Sequence, residues 1–580
     1  MAWHLKMLNL LFFWQFIAIV NIVSCEYLTV NTCSGPIVGV PQKTFVHQVP
    51  YISYKGIPYA QPPVDKLRFR VPRSVKPWTE PLVTTNEYRP SCLVIAQAFL
   101  FGLKSNQSED CLFLNVYTPV LEKSKTKRKL PVLFYIHGGG FNEGDGTDAF
   151  QAPDFVMEHN AILVVINYRL GPFGYANFNL HGYTGNMALK DQRKALKWTK
   201  KNIKYFGGDP DAITMIGESA GAVQVHLHLL SNSCKYIKRA VMLSGNAFNY
   251  WSYYKNNNVD LFREAFKNEL GDQTSDEEVL NYMINAPAES IVAKSPALDI
   301  ISRTTLLFYW TPVVEDKRKA VHPFLLQKPH DIYANNNFCA NCRNVEVVFS
   351  VTSSEGFSFL DYTQPYAWIE ALKSSSYIAL PYHGLTLTQD TAKYQAVQNK
   401  IKKFYFGDGE IEQTPERLNQ YVQLTTDTNF VIPFYEAMRL HSKVAKTYCF
   451  YFDINLNTNI VKLPRNLTDI EGMGHIEDTG YLFKINEPKY SFLYDQTLAD
   501  RSNEINRKTI CAWKFVTKLF TDFARKGLVK YDNPVKSVKN AKCIHITNDG
   551  LRSITRPHGR AIKFWRKAKN CLYPFIVDEF

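Results

Sequence analysis

The pentapeptide Gly217-Glu218-Ser219-Ala220-Gly221 constrains the fold of this chain more than any other stretch. Before it, Thr214-Met215-Ile216 is an apolar run of strand character; after it, Ala222 to Leu230 alternates small and apolar residues at helical spacing. A serine flanked by glycines two residues away on either side predicts a sharp strand-to-helix turn, because a bulkier residue would block the approach of the two backbones. Such a turn holds the serine hydroxyl where a carbonyl carbon can reach it. The same pattern also arises by chance in plain structural turns, so the rest of the chain must carry the argument.

A serine hydroxyl attacks poorly at neutral pH unless a base takes its proton and donors hold the oxyanion that forms. Donors are predicted at Ile136-His137-Gly138-Gly139-Gly140-Phe141, directly after the strand-like run Val132-Leu133-Phe134-Tyr135. The N–H groups of Gly139 and Gly140, with that of Ala220, can converge on one oxygen without Cβ atoms in the way. The alternative is a flexible glycine turn.

A base is expected late in the chain, since folds with this turn run in the order Ser, acid, His. Of fourteen histidines, His475 in Gly472-Met473-Gly474-His475-Ile476-Glu477-Asp478 stands in a glycine-marked loop before the apolar Tyr481-Leu482-Phe483. His226 and His228 lie on the helix after the serine, but i, i+2 spacing puts them on different faces and they read as packing residues, not metal ligands. For the acid, Glu355 follows the strand-like Val345-Glu346-Val347-Val348-Phe349-Ser350-Val351, placing it at a strand's C-terminal end. Glu315 and Asp316, after Thr311-Pro312-Val313-Val314, are its rivals, while Asp478 is expected to tie down the histidine's own loop.

With these residues in view, the chain resembles the type-B carboxylesterase/cholinesterase family, of the insect-type secreted kind, over nearly its whole length. Gly217 to Gly221 is similar to one family signature and Ser108-Glu109-Asp110-Cys111-Leu112-Phe113-Leu114-Asn115-Val116-Tyr117 to the other. Tyr54 to Ala60, Asn167-Tyr168-Arg169-Leu170-Gly171, Asp191-Gln192 and Phe206-Gly207-Gly208-Asp209-Pro210 match as well. The resemblance implies an α/β-hydrolase fold: a large, mostly parallel central sheet flanked by helices, with long insertions. It implies Ser219 as nucleophile, Glu355 as acid and His475 as base, with Gly139, Gly140 and Ala220 at the oxyanion hole. By the same resemblance Ser244 supports the triad from behind, the charge of Glu218 tunes the imidazolium, and Cys92 pairs with Cys111. This chemistry calls for no cofactor and no metal.

Met1 to Cys25 carries Lys6, an apolar stretch and the small-residue end Val23-Ser24-Cys25, which predicts a signal peptide cleaved before Glu26 and one catalytic domain over 26–580. No later stretch is long and apolar enough to span a bilayer, and no stable membrane anchor is expected. Eleven cysteines become ten on that cleavage, an even number suited to an oxidising compartment. Cys339-Ala340-Asn341-Cys342 could be a redox motif or half a zinc site, but with no second pair of matching spacing it reads as a loop disulfide or exposed thiols. Sequons at Asn106 and Asn466 predict glycosylation of a secreted protein. The net charge of +14 raises nucleic-acid binding, but no nucleic-acid motif accompanies it. Its C-terminal share, Arg552 to Lys569 around Phe564-Trp565, reads as the solvated basic face of a terminal helix.

Two departures bear on the substrate, a small-molecule ester. The loop from Cys92 to Cys111 has no tryptophan, whereas cholinesterases carry there the ring that stacks on quaternary ammonium, so acetylcholine is not expected. Juvenile hormone esterases usually carry Gln where this chain has Glu218, although His137 to Phe141, Arg68-Phe69 and Asp191-Gln192 fit them. Small to medium lipophilic carboxylic esters are the expected substrates. A juvenile hormone esterase or a lipase-like hydrolase is the narrower alternative, and an inactive adhesion or matrix protein of the same fold the most distant one.

Overall fold

The structure is a computed structural model that describes residues 28–95, 106–120, 129–252, 258–271, 274–295, 308–360, 366–369, 392–463, 470–528 and 533–572. The expected signal peptide and the sequon at Asn466 lie outside these residues.

Eleven strands build the central sheet. In chain order they are β1 (Val40–Lys43), β2 (Pro50–Pro58), β3 (Phe113–Pro119), β4 (Leu130–Ile136), β5 (Ile162–Ile166), β6 (Gly208–Glu218), β7 (Arg239–Leu243), β8 (Glu346–Thr352), β9 (Thr447–Asp453), β10 (Lys542–Thr547) and β11 (Gly550–Thr555). Across the sheet they run β1-β2-β3-β5-β4-β6-β7-β8-β9-β10-β11. From β5 through β10 every neighbouring pair is parallel, with antiparallel strands only at the two edges. This is the large, mostly parallel α/β-hydrolase sheet that the resemblance implied.

Parallel strands need crossovers, and crossovers put helices on both faces. The inner strands accordingly read as continuous apolar runs: Leu130-Pro131-Val132-Leu133-Phe134-Tyr135-Ile136 and Ile162-Leu163-Val164-Val165-Ile166 are buried at every position. Among the covering helices are α1 (Met187–Asn202), α2 (Ala220–Leu229), α3 (Ile432–His441) and α4 (Glu504–Lys526). In α4 the Asn503 side chain accepts from the N–H groups of Ile505 and Asn506, and Gly527 at φ +74° ends the helix. Its apolar stripe of Trp513, Val516, Phe520 and Phe523 is buried, with charge on the other side.

Cys92 bonds to Cys111, as the resemblance implied, and two further bridges join Cys234 to Cys342 and Cys449 to Cys543. The last of these ties β9 to β10. A terminal helix, α5 (Gly559–Leu572), buries Ile562 and Trp565 and leaves Arg560, Lys563, Arg566 and Lys567 exposed, which is the solvated basic face expected from the sequence. Asn106 is exposed.

Candidate functional site

The site lies at the C-terminal ends of the parallel strands, where open α/β sheets place their ligands. Ser219 sits between β6 and α2 with φ +55° and ψ −124°, a sparsely populated backbone that costs about 1–3 kcal/mol and persists only where its surroundings enforce it. Two contacts do so. The Ser219 N–H donates to the Leu243 carbonyl at the end of β7 at 2.8 Å, and Gly245 packs so closely under Ser219 that a Cβ there would strike its carbonyl. Gly217 and Gly221 are the two glycines of the pattern: a Cβ on the first would collide with Gly221, and on the second with the Ile136 carbonyl.

His475 and Glu355 arrive from loops after β9 and β8. The Ser219 hydroxyl stands 2.8 Å from His475 Nε2, and the other ring nitrogen, Nδ1, lies 2.6 Å from Glu355 Oε2. The second carboxylate oxygen of Glu355 accepts from the Thr352 N–H at 2.7 Å, and the Gly356 N–H donates to Thr426 Oγ1 at 2.9 Å. All three side chains are buried. An Nδ1–H donating to Glu355 leaves Nε2 as acceptor for the serine proton, which is the tautomer a general base requires.

The two loops are stitched together. Ser353 Oγ donates to Asp453 at 2.7 Å and accepts from the Met473 N–H at 2.8 Å, while the Ser354 N–H and hydroxyl donate to the carbonyls of Met473 and Glu471.

The glycine loop after β4 faces the same point. Gly139 and Gly140 adopt φ +100° and +56°, and their carbonyls are turned away by the N–H groups of Asn142 and Glu143 and by the Asn142 side chain. Among the described residues, the N–H groups of Gly139, Gly140 and Ala220 donate to no protein acceptor, so all three remain available to an oxyanion. His137 stacks on Tyr168 at 4.3 Å, and burial pulls its imidazole down to about 4, so it stays neutral at physiological pH. Phe141, Trp251, Phe308 and Phe430 form a chain of ring contacts beside the oxyanion loop that ends with Phe430 at 4.8 Å from the His475 ring.

Glu218 Oε1 lies 3.2 Å from His475 Nε2. Burial pushes this carboxyl well above the usual carboxylate range, and the negative charge of Glu355 pushes it further. Both effects act against the charged form of Glu218. A small pocket of about 20 Å³ is lined by Tyr135, His137, Glu218 and Thr479, among others.

The rival acids lie elsewhere. Glu315 is buried in an ion pair with Lys190 at 2.6 Å and accepts from Thr184, Asn186 and the N–H groups of Phe324 and Leu325; Asp316 is paired with its neighbour Arg318 at 2.9 Å. Asp478 does not tie down the histidine loop as expected: neither carboxylate oxygen has a hydrogen-bond partner among the described residues. Its neighbour Glu477 does that work, accepting from the N–H groups of Val461, Lys462 and Gly474 and from Asn459 Nδ2. Ser244, at φ +54°, donates its N–H to the Ser350 carbonyl and sits beneath the serine turn, while its hydroxyl has no partner among the described residues. His226 and His228 are packing residues: Ala247 N–H donates to His226 Nδ1 at 3.1 Å, and His228 Nε2 contacts Gln192.

Sequence reading missed Glu477, Ser353, Trp251 and Phe430. Each acts mainly through partners distant in the chain, which no local pattern marks.

Known proteins share this architecture. The Carboxylesterase family's sequence profile matches residues 26–565. The chain is 30% identical over 533 residues to a juvenile hormone esterase of Heliothis virescens, covering 90% of this chain and 88% of that protein. It is 31% identical over 515 residues to Esterase E4 of Myzus persicae, covering 87% of each. In fold it is similar to the crystal structure of a juvenile hormone esterase from Manduca sexta with OTFP covalently attached, at a TM-score of 0.77 and 24% identity, covering 94% of this chain and 99% of that one. The chain therefore belongs to the carboxylesterase family and is a carboxylic ester hydrolase.

Proposed function

We propose that this protein is a secreted serine esterase that cleaves small to medium lipophilic carboxylic esters through an acyl-enzyme, with Ser219, His475 and Glu355 as its triad. The observation that carries this is the unbroken line from the Ser219 hydroxyl through His475 to Glu355, at 2.8 and 2.6 Å. As Ser219 attacks the ester carbonyl, His475 takes its proton at Nε2 and Glu355 stabilises the imidazolium. The oxygen that becomes negative is met by the N–H groups of Gly139, Gly140 and Ala220, donors whose removal one at a time costs about 3–4 kcal/mol of barrier in comparable sites. His475 then returns the proton to the leaving alcohol, and water repeats the cycle on the acyl group.

The aromatic chain Phe141, Trp251, Phe308 and Phe430, which ends 4.8 Å from the His475 ring, supports a lipophilic ester, since ligand sites lined by aromatic side chains favour apolar groups. Secretion is supported by the apolar N-terminus and the three disulfides. Among the described residues no helix is long and apolar enough to cross a membrane.

The test is to express the full chain in a eukaryotic host and assay the medium with p-nitrophenyl esters of graded length. Ser219→Ala should lose on the order of 10³- to 10⁶-fold in kcat and all labelling by an organophosphate. Equal labelling of variant and wild type would place the nucleophile elsewhere. A second reading, juvenile hormone esterase, draws on the Heliothis virescens relative. It predicts that juvenile hormone outcompetes the p-nitrophenyl esters in kcat/KM, whereas a preference for emulsified long-chain esters would favour a lipase.

A further inference from the structure

Ester hydrolysis leaves Cys339-Ala340-Asn341-Cys342 unused, but the fold gives this motif a third sulfur. Cys342 is buried and bonded to Cys234, while Cys339 is exposed and keeps its thiol, which donates to Asn232 Oδ1 at 2.7 Å. The sulfurs of Cys234, Cys339 and Cys342 lie within 4.8 Å of one another. The Cys342 N–H donates to the Cys339 carbonyl at 2.9 Å, closing a 3₁₀ turn in which side chains three apart stand on the same side. A free thiol this close to a disulfide has a direct path to it, and thiolate attack on a disulfide sulfur is how such bonds move.

We propose that Cys234, Cys339 and Cys342 form a thiol–disulfide exchange centre in which the bridge migrates from Cys234–Cys342 to Cys339–Cys342. Cys339 gives its proton to water, and its thiolate attacks Cys342 Sγ. The Cys339–Cys342 bond forms as the Cys234–Cys342 bond breaks, and Cys234 leaves as a thiolate that takes a proton from water. One disulfide replaces another, so no oxidant or reductant is consumed.

The migration has a structural consequence. Cys234 lies in the short 3₁₀ segment Asn232–Tyr236 just beyond α2, the helix that follows Ser219; Cys342 lies just ahead of β8, the strand that leads to Glu355. The resting bridge fastens these two elements together at the end remote from the site. The migrated bridge is local to one turn and releases them.

The test uses the full-length secreted protein, incubated across a pH series, quenched in acid with N-ethylmaleimide and mapped without reduction. A Cys339–Cys342 peptide with alkylated Cys234 should accumulate as pH rises and more thiolate forms, and Cys339→Ser should lose that peptide while hydrolysing esters as the wild type does. Cys234→Ala, which removes the leaving sulfur, should be recovered with Cys339 bonded to Cys342. If that variant fails to fold, the wild-type map still decides. Recovery of Cys234–Cys342 alone, with Cys339 alkylated at every pH, would overturn the proposal. So would binding of one Cd²⁺ per chain by the three thiols of the reduced protein without any migrated bridge in the oxidised one, since the cluster would then be a soft-metal site.

Discussion

Glu218 and Ser219, adjacent in the chain, reach the same nitrogen: His475 Nε2 lies 2.8 Å from the serine hydroxyl and 3.2 Å from Glu218 Oε1. A carboxylate at that distance would repel the Nε2 lone pair that must accept the serine proton, and would hold a second proton on the ring. A neutral carboxyl does neither. Burial at the end of β6, with Glu355 adding its charge across the imidazole, favours the neutral form.

Glu218→Gln should therefore leave kcat/KM within about threefold of wild type and leave the acid limb of the pH–rate profile in place, because the amide reproduces a neutral, similarly shaped group. A pH series on the purified variant measures both. A hundredfold loss, or an acid limb moved by a full pH unit, would mean that the ionised carboxylate takes part.

The acid is distinguished by a second set of substitutions. Glu355→Gln keeps the shape but loses the charge and turns the imidazole toward the wrong tautomer, and should lower kcat by about 10³- to 10⁴-fold with little change in KM. Glu315→Gln should show the opposite profile: kcat per folded molecule near wild type, but stability lower by about 3–5 kcal/mol, since the Lys190 ammonium would stay buried without its partner. Equal thermal stability with a large kcat loss in Glu315→Gln would reverse the two roles.

Ser219, the glycine loop and His475 were legible because each is marked within a few residues by glycines and a neighbouring apolar strand. Glu355 was legible as a strand end, though not decisively against Glu315, because what separates them is Lys190, more than a hundred residues upstream. Adjacent acids were beyond reach. Glu477 and Asp478 differ by which one meets the N–H groups of Val461 and Lys462, a matter of loop geometry that no spacing rule encodes. The same holds for the bridges Cys234–Cys342 and Cys449–Cys543, which close loops of 108 and 94 residues.

Asp478 carries a pH prediction. Burial, with the charge of Glu355 adding to it, holds its carboxyl well above the usual range. In the unfolded chain the group ionises near pH ~3.9 and in the fold only at higher pH, so between the two the native state binds the extra proton. Its contribution is fully present below that pH and is lost at about 1.4 kcal/mol per pH unit as pH rises, until the folded group itself ionises. Asp478→Asn removes this term. The melting temperature of the variant should accordingly gain on wild type as the buffer is moved from pH 5 toward pH 9, with ester hydrolysis retained. A constant difference across the series would show that Asp478 is ionised in the fold.

Glu477 offers the strictest check on how the histidine is held. Four donors converge on its carboxylate: Oε1 accepts from the Val461 and Lys462 N–H groups at 3.1 and 2.9 Å, and Oε2 accepts from the Gly474 N–H at 2.7 Å and Asn459 Nδ2 at 2.9 Å. Gly474 directly precedes His475, and Lys462 also donates its ammonium to the Gly472 carbonyl at 2.7 Å, so both ends of the glycine turn hang on this pair. In Glu477→Gln the amide must turn its NH₂ toward one pair of donors or the other, leaving two N–H groups buried and unsatisfied at about 1–3 kcal/mol each. The imidazole then loses its fixed position against Ser219, and a misplacement of about 1 Å costs roughly 10²-fold in rate. The expected result is a lower melting temperature together with a ten- to hundredfold fall in kcat, KM staying within a factor of about two, since substrate binding does not involve this side chain. Glu477→Asp, which keeps the charge on a shorter stem, should recover part of both. If stability falls while kcat per folded molecule is unchanged, Glu477 holds the loop without setting the position of the histidine.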